Sequence, residues 1–145
     1  MDISIDFGIT VTDIIKRNDD VILHEMTLSE EGPSLSLLSH LFTDIDFNSD
    51  VNLLAVTGGK HLKLGDKIES TKIVHVNEID AVGEGAMNLS GLSGKNPIII
   101  VSAGSGTACI LAQDGNFTHC SGTGVGGGTV LGLSKLLLGT SDPIE

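Results

Sequence analysis

The sequence predicts an α/β domain built on a mixed sheet, with three leading antiparallel strands and flanking helices. Apolar and polar residues alternate along 1–7, residues 11–16 and 20–25 are typical of two further strands, and a tight Asn-Asp-Asp turn separates these two. Apolar residues then recur at helical spacing along 35–42 and 78–89. Because alternation is typical of half-buried strands and the longer period of amphipathic helices, the two patterns together indicate a sheet covered by helices.

The other elements follow in chain order. Pro33 and Ser34 are suited to open the first helix, and Asn77 is suited to cap the second. Asp114-Gly-Asn116 predicts a hairpin turn, and Gly139 ends the last helix. Further strands are expected at Val51–Val56, Lys72–Val76, Pro97–Ser102, Ala108–Ala112 and Phe117–Cys120, and a last helix at Thr129–Leu138. We find no internal repeat and no linker, and therefore expect a single domain over residues 1–145.

Composition excludes several classes of function. The formal net charge is −11, with 8 Lys and Arg, and such a field repels nucleic acid and anionic membranes. No apolar run approaches the length of a transmembrane helix, and the chain opens on a strand pattern rather than a signal peptide. Cys109 and Cys120 form no disulfide framework. We therefore expect a cytoplasmic protein with neither nucleic-acid nor membrane partners.

The segment Asp6-Phe-Gly-Ile-Thr10 lies where the first strand gives way to the second. A carboxylate at a strand end, beside a glycine turn and a hydroxyl, suits a hydrated cation and phosphate oxygens. A hairpin in which Asp6 and Thr10 only satisfy turn amides has the same pattern. Both interpretations are open at this point.

Two glycine-rich segments come later in the chain. Gly104-Ser-Gly-Thr107 is either a plain β-turn or a turn that directs N–H groups at an anion. In Gly122–Thr129, five glycines fall within seven residues just before a helix. This run costs conformational entropy, which favours backbone approach to a phosphate or adenosine at the helix N-terminus. A literal GxGxxG at 122–127 lacks the second strand of a dinucleotide fold, and no Walker A motif is present.

Titratable residues give weaker signals. Glu78 and Asp80 begin a predicted helix, where acids commonly complement the helix dipole. The five histidines, at 24, 40, 61, 75 and 119, show no zinc-ligand spacing.

Taken in order, five motifs resemble the type II pantothenate kinases. They are Asp6-x-Gly-x-Thr10, Val56-Thr-Gly-Gly59, Val76-Asn-Glu-Ile-Asp-Ala81, Gly104-Ser-Gly-Thr107 and Ser121-Gly-Thr-Gly-Val-Gly-Gly-Gly-Thr129. The resemblance covers almost the whole chain and is most specific at Gly122–Leu138. It implies the actin-like ATPase (ribonuclease H-like) fold, and transfer of the γ-phosphate of ATP to pantothenate, the first step towards coenzyme A.

The resemblance also assigns roles to residues. Glu78 matches the catalytic acid, which takes the proton from the pantothenate hydroxyl. The implied nucleotide and phosphate residues are Asp6, Gly8, Thr10, Gly124, Gly126, Gly127 and Gly128, with Asp6 also holding Mg²⁺. The implied substrate residues are Ser105, Thr107 and His119. ATP and Mg²⁺ are the implied cofactors, and pantothenate or a similar small hydroxylated acid is the implied substrate.

Three residues depart from the family pattern. Ile9 stands where a second glycine is usual, Asp13 where a lysine is usual, and His119 where an arginine grips pantothenate. An imidazole does not replace the two parallel hydrogen bonds of a guanidinium to a carboxylate. A non-catalytic subunit that keeps the fold is therefore an alternative.

Length gives a further expectation. The family closes a second actin-like domain over ATP, which we do not expect in this chain. We predict a fragment, or half of a split enzyme completed by a homodimer or a partner chain. The stretch from Asp6 to Asp13 also resembles hydantoinase-type ATPases, which gives a second alternative, an ATPase subunit of that class.

Overall fold

A computed structural model describes residues 1–29, 32–92 and 96–140 of the chain. The chain separates into two compact units, Met1–Glu78 (unit 1) and Ile79–Glu145 (unit 2). We predicted one domain from the sequence, and that assignment stays a prediction.

Unit 1 is a six-stranded mixed sheet with one α-helix. Its elements are β1 (Asp2–Phe7), β2 (Val11–Asn18), β3 (Val21–Leu28), α1 (Leu35–Leu41), β4 (Leu53–Gly58), a 3-10 turn (His61–Leu64), β5 (Lys67–Ile68) and β6 (Thr71–His75). The strand order is β3-β2-β1-β4-β6-β5. Strands β1, β2 and β3 pair antiparallel, whereas β1, β4 and β6 run parallel. The predicted mixed sheet with three leading antiparallel strands is confirmed.

One face of this sheet carries the core of unit 1. Alternate residues of β1 are buried because successive side chains of a strand point to opposite faces. Alternate residues of the parallel strands β4 and β6 are buried for the same reason. The buried hydrophobic residues of the strands in this sheet are Ile3, Ile5, Phe7, Ile14, Leu54, Val56, Ile68 and Ile73. Leu38 of α1 packs against them, and the Oγ of Ser34 caps α1 by accepting a hydrogen bond from Leu37 N at 3.1 Å. Polar residues of β1 such as Asp6 therefore lie on the opposite face.

Unit 2 is a three-stranded antiparallel sheet with two helices. Its elements are α2 (Glu78–Ser90, which begins at the last residue of unit 1), β7 (Ile98–Ala103), β8 (Thr107–Gln113), β9 (Asn116–Thr123) and α3 (Gly127–Leu138). The strand order is β7-β8-β9. Asp114 and Gly115 have φ of 51° and 73°, which gives the β8–β9 hairpin its two-residue turn. Gly139 ends α3 with φ of 81°, as the sequence predicted.

Three features were not predicted. The 3-10 turn at His61–Leu64 and the two-residue strand β5 escaped the sequence patterns, which need longer segments to show a period. In addition, β7-β8-β9-α3 follows the same antiparallel path as β1-β2-β3-α1. This repeat is one of topology and not of sequence, so inspection of the sequence did not reveal it.

Candidate functional site

Three residues of unit 1 gather at the carboxyl ends of its parallel strands, and we call them the strand-end cluster: Asp6, Thr57 and Glu78. Asp6 is the penultimate residue of β1, and Thr57 is the penultimate residue of β4 and the direct register partner of Asp6. Glu78 begins α2 three residues after β6 ends. Ligands of open α/β sheets bind outside the carboxyl ends of the strands, so this is the place in unit 1 where a site is expected.

The carboxylates of this region repel one another. Desolvation by the surrounding protein raises the pKa of Asp6, and the nearby charges of Glu78 and Asp13 raise it further. Asp13 is the antiparallel register partner of Asp6 on β2. Such a cluster is favourable for a cation or a neutral hydroxyl and unfavourable for a bare phosphate.

Asp13, which departs from the family pattern, has a partner of its own. Its Oδ1 lies 2.8 Å from Nε2 of His24 on β3. The pair places a carboxylate beside Asp6 at the position where the resemblance implies a lysine. Asp13 is therefore engaged in a side-chain pair across β2 and β3.

The turn after β1 accounts for Gly8 without a ligand. A Cβ at Gly8 would lie closer than 3.0 Å to the carbonyl oxygen of Val11, so a side chain does not fit inside the turn. Ile9 projects outward with 83% of its surface exposed, and the carbonyl of Thr10 accepts a hydrogen bond from Ser29 N at 3.0 Å. Phosphate binding by Gly8 and Thr10 stays a prediction beside this structural role.

The end of β4 is fixed against the end of β1. A Cβ at Gly58 would lie closer than 3.0 Å to Oδ1 of Asp6 and to the backbone of Phe7, and Gly58 has φ of 84°. Gly59 N donates to Phe7 O at 2.8 Å, and Val76 N donates to Val56 O at 2.8 Å. These contacts hold the strand-end cluster in register, and they explain why glycine stands at Gly58, the last residue of β4.

In unit 2, the turn Gly104–Thr107 and the segment Gly122–Thr129 pack directly on each other, and we call this contact the glycine interface. A Cβ at Gly126 would lie 2.6 to 2.8 Å from backbone atoms of Gly104 and Gly106. One at Gly128 would lie 3.0 to 3.1 Å from Ser105, and one at Gly106 would lie 2.8 Å from Thr123 O. Glycine is therefore needed at Gly106 and Gly126 for the two segments to approach, and a β-carbon at Gly128 would fit only tightly.

Hydrogen bonds hold the glycine interface together. Gly127 N donates to Gly104 O at 2.8 Å, and the hydroxyl of Thr107 donates to Val125 O at 2.9 Å. Gly126 N donates to the hydroxyl of Thr129 at 3.2 Å, and that hydroxyl donates to Gly124 O at 3.1 Å. Two of the N–H groups proposed to face phosphate, those of Gly126 and Gly127, thus have acceptors in the protein, as does the Thr107 hydroxyl proposed to face substrate.

His119 lies on β9 beside this interface. Its Nε2 lies 3.1 Å from the position that a Cβ of Gly122 would occupy, so the imidazole packs over that glycine. The structure therefore brings together Ser105, Thr107, His119 and the glycines within unit 2, and Asp6 and Glu78 within unit 1. Thr57, which also lies in the strand-end cluster, is not among the site residues predicted from the sequence, although it directly precedes two glycines at a strand end.

Metal binding is limited by the side chains available. Within residues 1–29, 32–92 and 96–140, no group of three or more His, Cys, Asp and Glu side chains is arranged to hold a metal ion. Mg²⁺ is commonly bound through one or two carboxylates together with waters and substrate phosphates. Asp6, desolvated and beside like charges, is the kind of carboxylate that fits such a role.

Solved structures identify the fold. A putative N-acetylglucosamine kinase from Porphyromonas gingivalis matches 96% of this chain and 57% of its own length, with a TM-score of 0.62 and 20% identity. A putative 2-dehydro-3-deoxygalactonokinase from Sinorhizobium meliloti matches 93% of this chain and 56% of its own, with a TM-score of 0.56 and 8% identity. The predicted actin-like ATPase fold is confirmed.

Sequence comparison gives a closer relationship, although no family model matches the chain. A type II pantothenate kinase of Bacillus cereus (strain G9842) is 34% identical over 141 residues, which are 93% of this chain and 49% of that protein. The type II pantothenate kinase of Bacillus anthracis is 30% identical over 138 residues, with 93% and 48% covered. The chain is a relative of the type II pantothenate kinases, as its motifs indicated, and it spans about half the length of the curated relatives it matches.

No helix within the described part of the chain is both long enough and apolar enough to cross a bilayer.

Proposed function

We propose that this chain is part of an ATP-dependent kinase that phosphorylates a hydroxyl of pantothenate or of a similar small hydroxylated acid. Its relationship to type II pantothenate kinases over 93% of its length supports this proposal. The structural observation that carries it is the position of Glu78, at the carboxyl ends of the parallel strands and close enough to Asp6 to raise its pKa. An accessible carboxylate at this place is suited to act as a general base.

The proposed chemistry assigns one step to Glu78. The substrate oxygen forms a bond to the γ-phosphorus, the bond from that phosphorus to the bridging oxygen breaks, and ADP leaves. Glu78 accepts the proton released by the substrate hydroxyl. Asp6 would hold the hydration shell of Mg²⁺, which supplies neutralising charge at the phosphates when bound. Gly8, Thr10, Gly124 and Gly126–Gly128 would approach the nucleotide, with Ser105, Thr107 and His119 near the substrate.

Completion of the site is part of the proposal. The chain spans about half the length of its relatives, and a charge of −11 leaves few cations to face ATP. We infer that further polypeptide, from a longer form of this chain, a second copy or a partner chain, completes the enzyme in the cytoplasm. The two free thiols, Cys109 and Cys120, are compatible with a reducing compartment.

A non-catalytic subunit is the second candidate, because specific contacts favour it. Asp13 places a carboxylate beside Asp6, and the N–H groups of Gly126 and Gly127 are engaged by protein acceptors. A subunit of this kind would keep the fold and the glycine interface while transferring no phosphate.

The test uses what we call the native preparation. The gene is tagged at the Met1 end in its own host, and the product is purified with whatever polypeptide completes it. This preparation is expected to transfer phosphate from ATP to pantothenate, whereas the 145-residue chain alone is expected to show none above background, because an incomplete site leaves the γ-phosphate in water.

Glu78→Gln then tests the general base. In the native preparation this change is expected to lower the rate about 10²- to 10⁴-fold, with little change in the KM for ATP. Asp80→Asn, two residues along the same helix, is the matched control and is expected to leave the rate unchanged. Equal and small effects of the two changes would show that Glu78 only complements the helix dipole. A native preparation without any transfer would favour the non-catalytic subunit.

A further inference from the structure

The hydroxyl of Thr57 is buried and makes no hydrogen bond to any residue that the structure describes. Burial of an unpaired hydroxyl is unfavourable, and native proteins avoid it unless water, an ion or a ligand supplies the partner. Other buried threonines of unit 1 follow this rule. The Thr12 hydroxyl pairs with Ser29 Oγ at 2.9 Å, and the Thr71 hydroxyl donates to the carbonyl of Phe47. Thr57 is therefore the exception that needs an explanation.

Among the described residues, one other buried side-chain polar atom lacks a hydrogen-bond partner, and it lies on the other face of the sheet. Nδ1 of His75 has no partner, but Nε2 of the same ring pairs with Gly65 O at 2.7 Å, and the ring packs on His61 with centroids 5.4 Å apart. His75 is the register partner of Val56, so it lies on the opposite face of the sheet from Thr57. The unpaired Thr57 hydroxyl belongs to the strand-end cluster alone.

The position of Thr57 is central in that cluster. Strand β4 lies between β1, which carries Asp6, and β6, which leads to Glu78. Thr57 is aligned with Asp6 across the parallel pair, and Gly58 and Gly59 fix this end of β4 against β1. A group bound over the strand ends would thus meet a hydroxyl flanked by two carboxylates.

The charges decide what kind of group fits. Asp6, Glu78 and Asp13 give the region a negative field that opposes the approach of a phosphate oxygen whose charge no cation neutralises. A neutral alcohol is compatible with this field, because it can donate its proton to a carboxylate while its oxygen accepts the Thr57 hydroxyl proton.

We propose that Thr57 binds the acceptor alcohol of the substrate, its hydroxyl donating to the oxygen that receives the phosphoryl group. This inference rests on the proposed function and adds a substrate-contacting residue to it. Thr57 holds the alcohol oxygen over β4 while Glu78 takes its proton, and the residue selects for substrates with a hydroxyl at this point.

Thr57→Val tests the inference, since valine keeps the shape and removes the hydroxyl. In the native preparation we expect the KM for pantothenate to rise about 10-fold, the usual effect of losing one hydrogen bond, with the KM for ATP unchanged. Thr57→Ser restores a hydroxyl and should recover much of the loss. Thr71→Val is the matched control, and it should leave both KM values unchanged.

Thermal unfolding of the 145-residue chain separates binding from a structural role. Thr57→Val is expected to keep or raise the unfolding midpoint, because it removes an unpaired buried hydroxyl, whereas Thr71→Val should lower it by breaking a hydrogen bond. A fall of the midpoint in both variants would overturn the inference.

The kinetic outcomes separate this inference from the proposed function. An active native preparation in which Thr57→Val matches the wild type overturns the inference and leaves the proposed function standing. A change confined to the ATP or Mg²⁺ dependence also overturns it, because the hydroxyl would then serve the nucleotide or a cation. If the wild-type preparation transfers no phosphate, the proposed function fails and the inference fails with it.

Discussion

Each unit contains three consecutive antiparallel strands followed by a helix, but the two units are stabilised in different ways. In unit 1, β1-β2-β3-α1 belongs to a six-stranded sheet whose covered face buries Ile3, Ile5 and Phe7 in an apolar core. In unit 2, β7-β8-β9-α3 has Ile110 and Ala112 as the buried hydrophobic side chains among its described residues. Close backbone contacts at the glycine interface take the place of side-chain packing there. The comparison indicates that unit 1 is sensitive to the removal of methyl groups, and unit 2 to their addition.

The largest expected effect comes from creating a cavity in the core of unit 1. Leu54→Ala removes a side chain with 0% of its surface exposed, and the cavity is expected to lower the free energy of unfolding by about 2–5 kcal/mol. Urea unfolding followed by far-UV circular dichroism measures it, because the chain has no Trp or Tyr for fluorescence. Leu133→Ala on α3, where 51% of the leucine is exposed, is expected to cost much less. Similar costs would contradict the contrast between the units.

The next effect comes from filling the glycine interface of unit 2. Gly126→Ala places a Cβ against the backbone of Gly104 and Gly106, and is expected to cost about 1–3 kcal/mol. Gly124→Ala is the matched control in the same segment, since its Cβ would meet no atom within 4 Å. The same denaturation assay compares them. If Gly126→Ala is as mild as Gly124→Ala, the two segments do not pack as described, and the glycine run is available for phosphate.

The smallest expected effect is a pair of opposite changes in the unfolding midpoint, from two glycine substitutions in α2. Gly83→Ala places a Cβ closer than 3.0 Å to the ring of Phe117, whereas Gly85→Ala, two residues along α2, points into open space. Alanine favours a helix over glycine by about 1 kcal/mol. We therefore expect Gly85→Ala to raise the thermal unfolding midpoint and Gly83→Ala to lower it, as measured by circular dichroism. Stabilisation by both changes would show that the Gly83–Phe117 contact is loose.

Long periodic elements could be predicted from the sequence, and the contacts between distant segments could not. The alternation in 1–7 and the helical spacing in 78–89 fix β1 and α2 closely, because burial of one face leaves a repeating pattern. The two residues of β5 are too few to show such a pattern. The glycine run predicted a close backbone approach, but a single sequence does not say what is approached. In the structure the neighbour is the turn at Gly104–Thr107.

The residues of the candidate site also differ in whether the sequence could predict them. Asp6 and Glu78 could be named from motifs, and the parallel pairing of β1, β4 and β6 brings them to one edge of the sheet. Thr57 could not be recognised as special from its type, since most buried threonines find a partner. Its unpaired hydroxyl is visible only after the neighbouring atoms have been placed. Their roles in binding and catalysis stay predictions for the experiments above.

The glycine interface also has an evolutionary consequence. Gly106, Gly126 and Gly128 leave little or no room for a β-carbon, so selection for a folded unit 2 is enough to keep glycine at these positions. A lineage that had lost phosphoryl transfer would keep this part of the kinase signature for as long as the unit folded. Drift would first become visible at positions such as Glu78, whose exposed carboxylate is not required for packing. In sequence surveys of such proteins, the acids therefore report retained chemistry, and these three glycines report retained architecture.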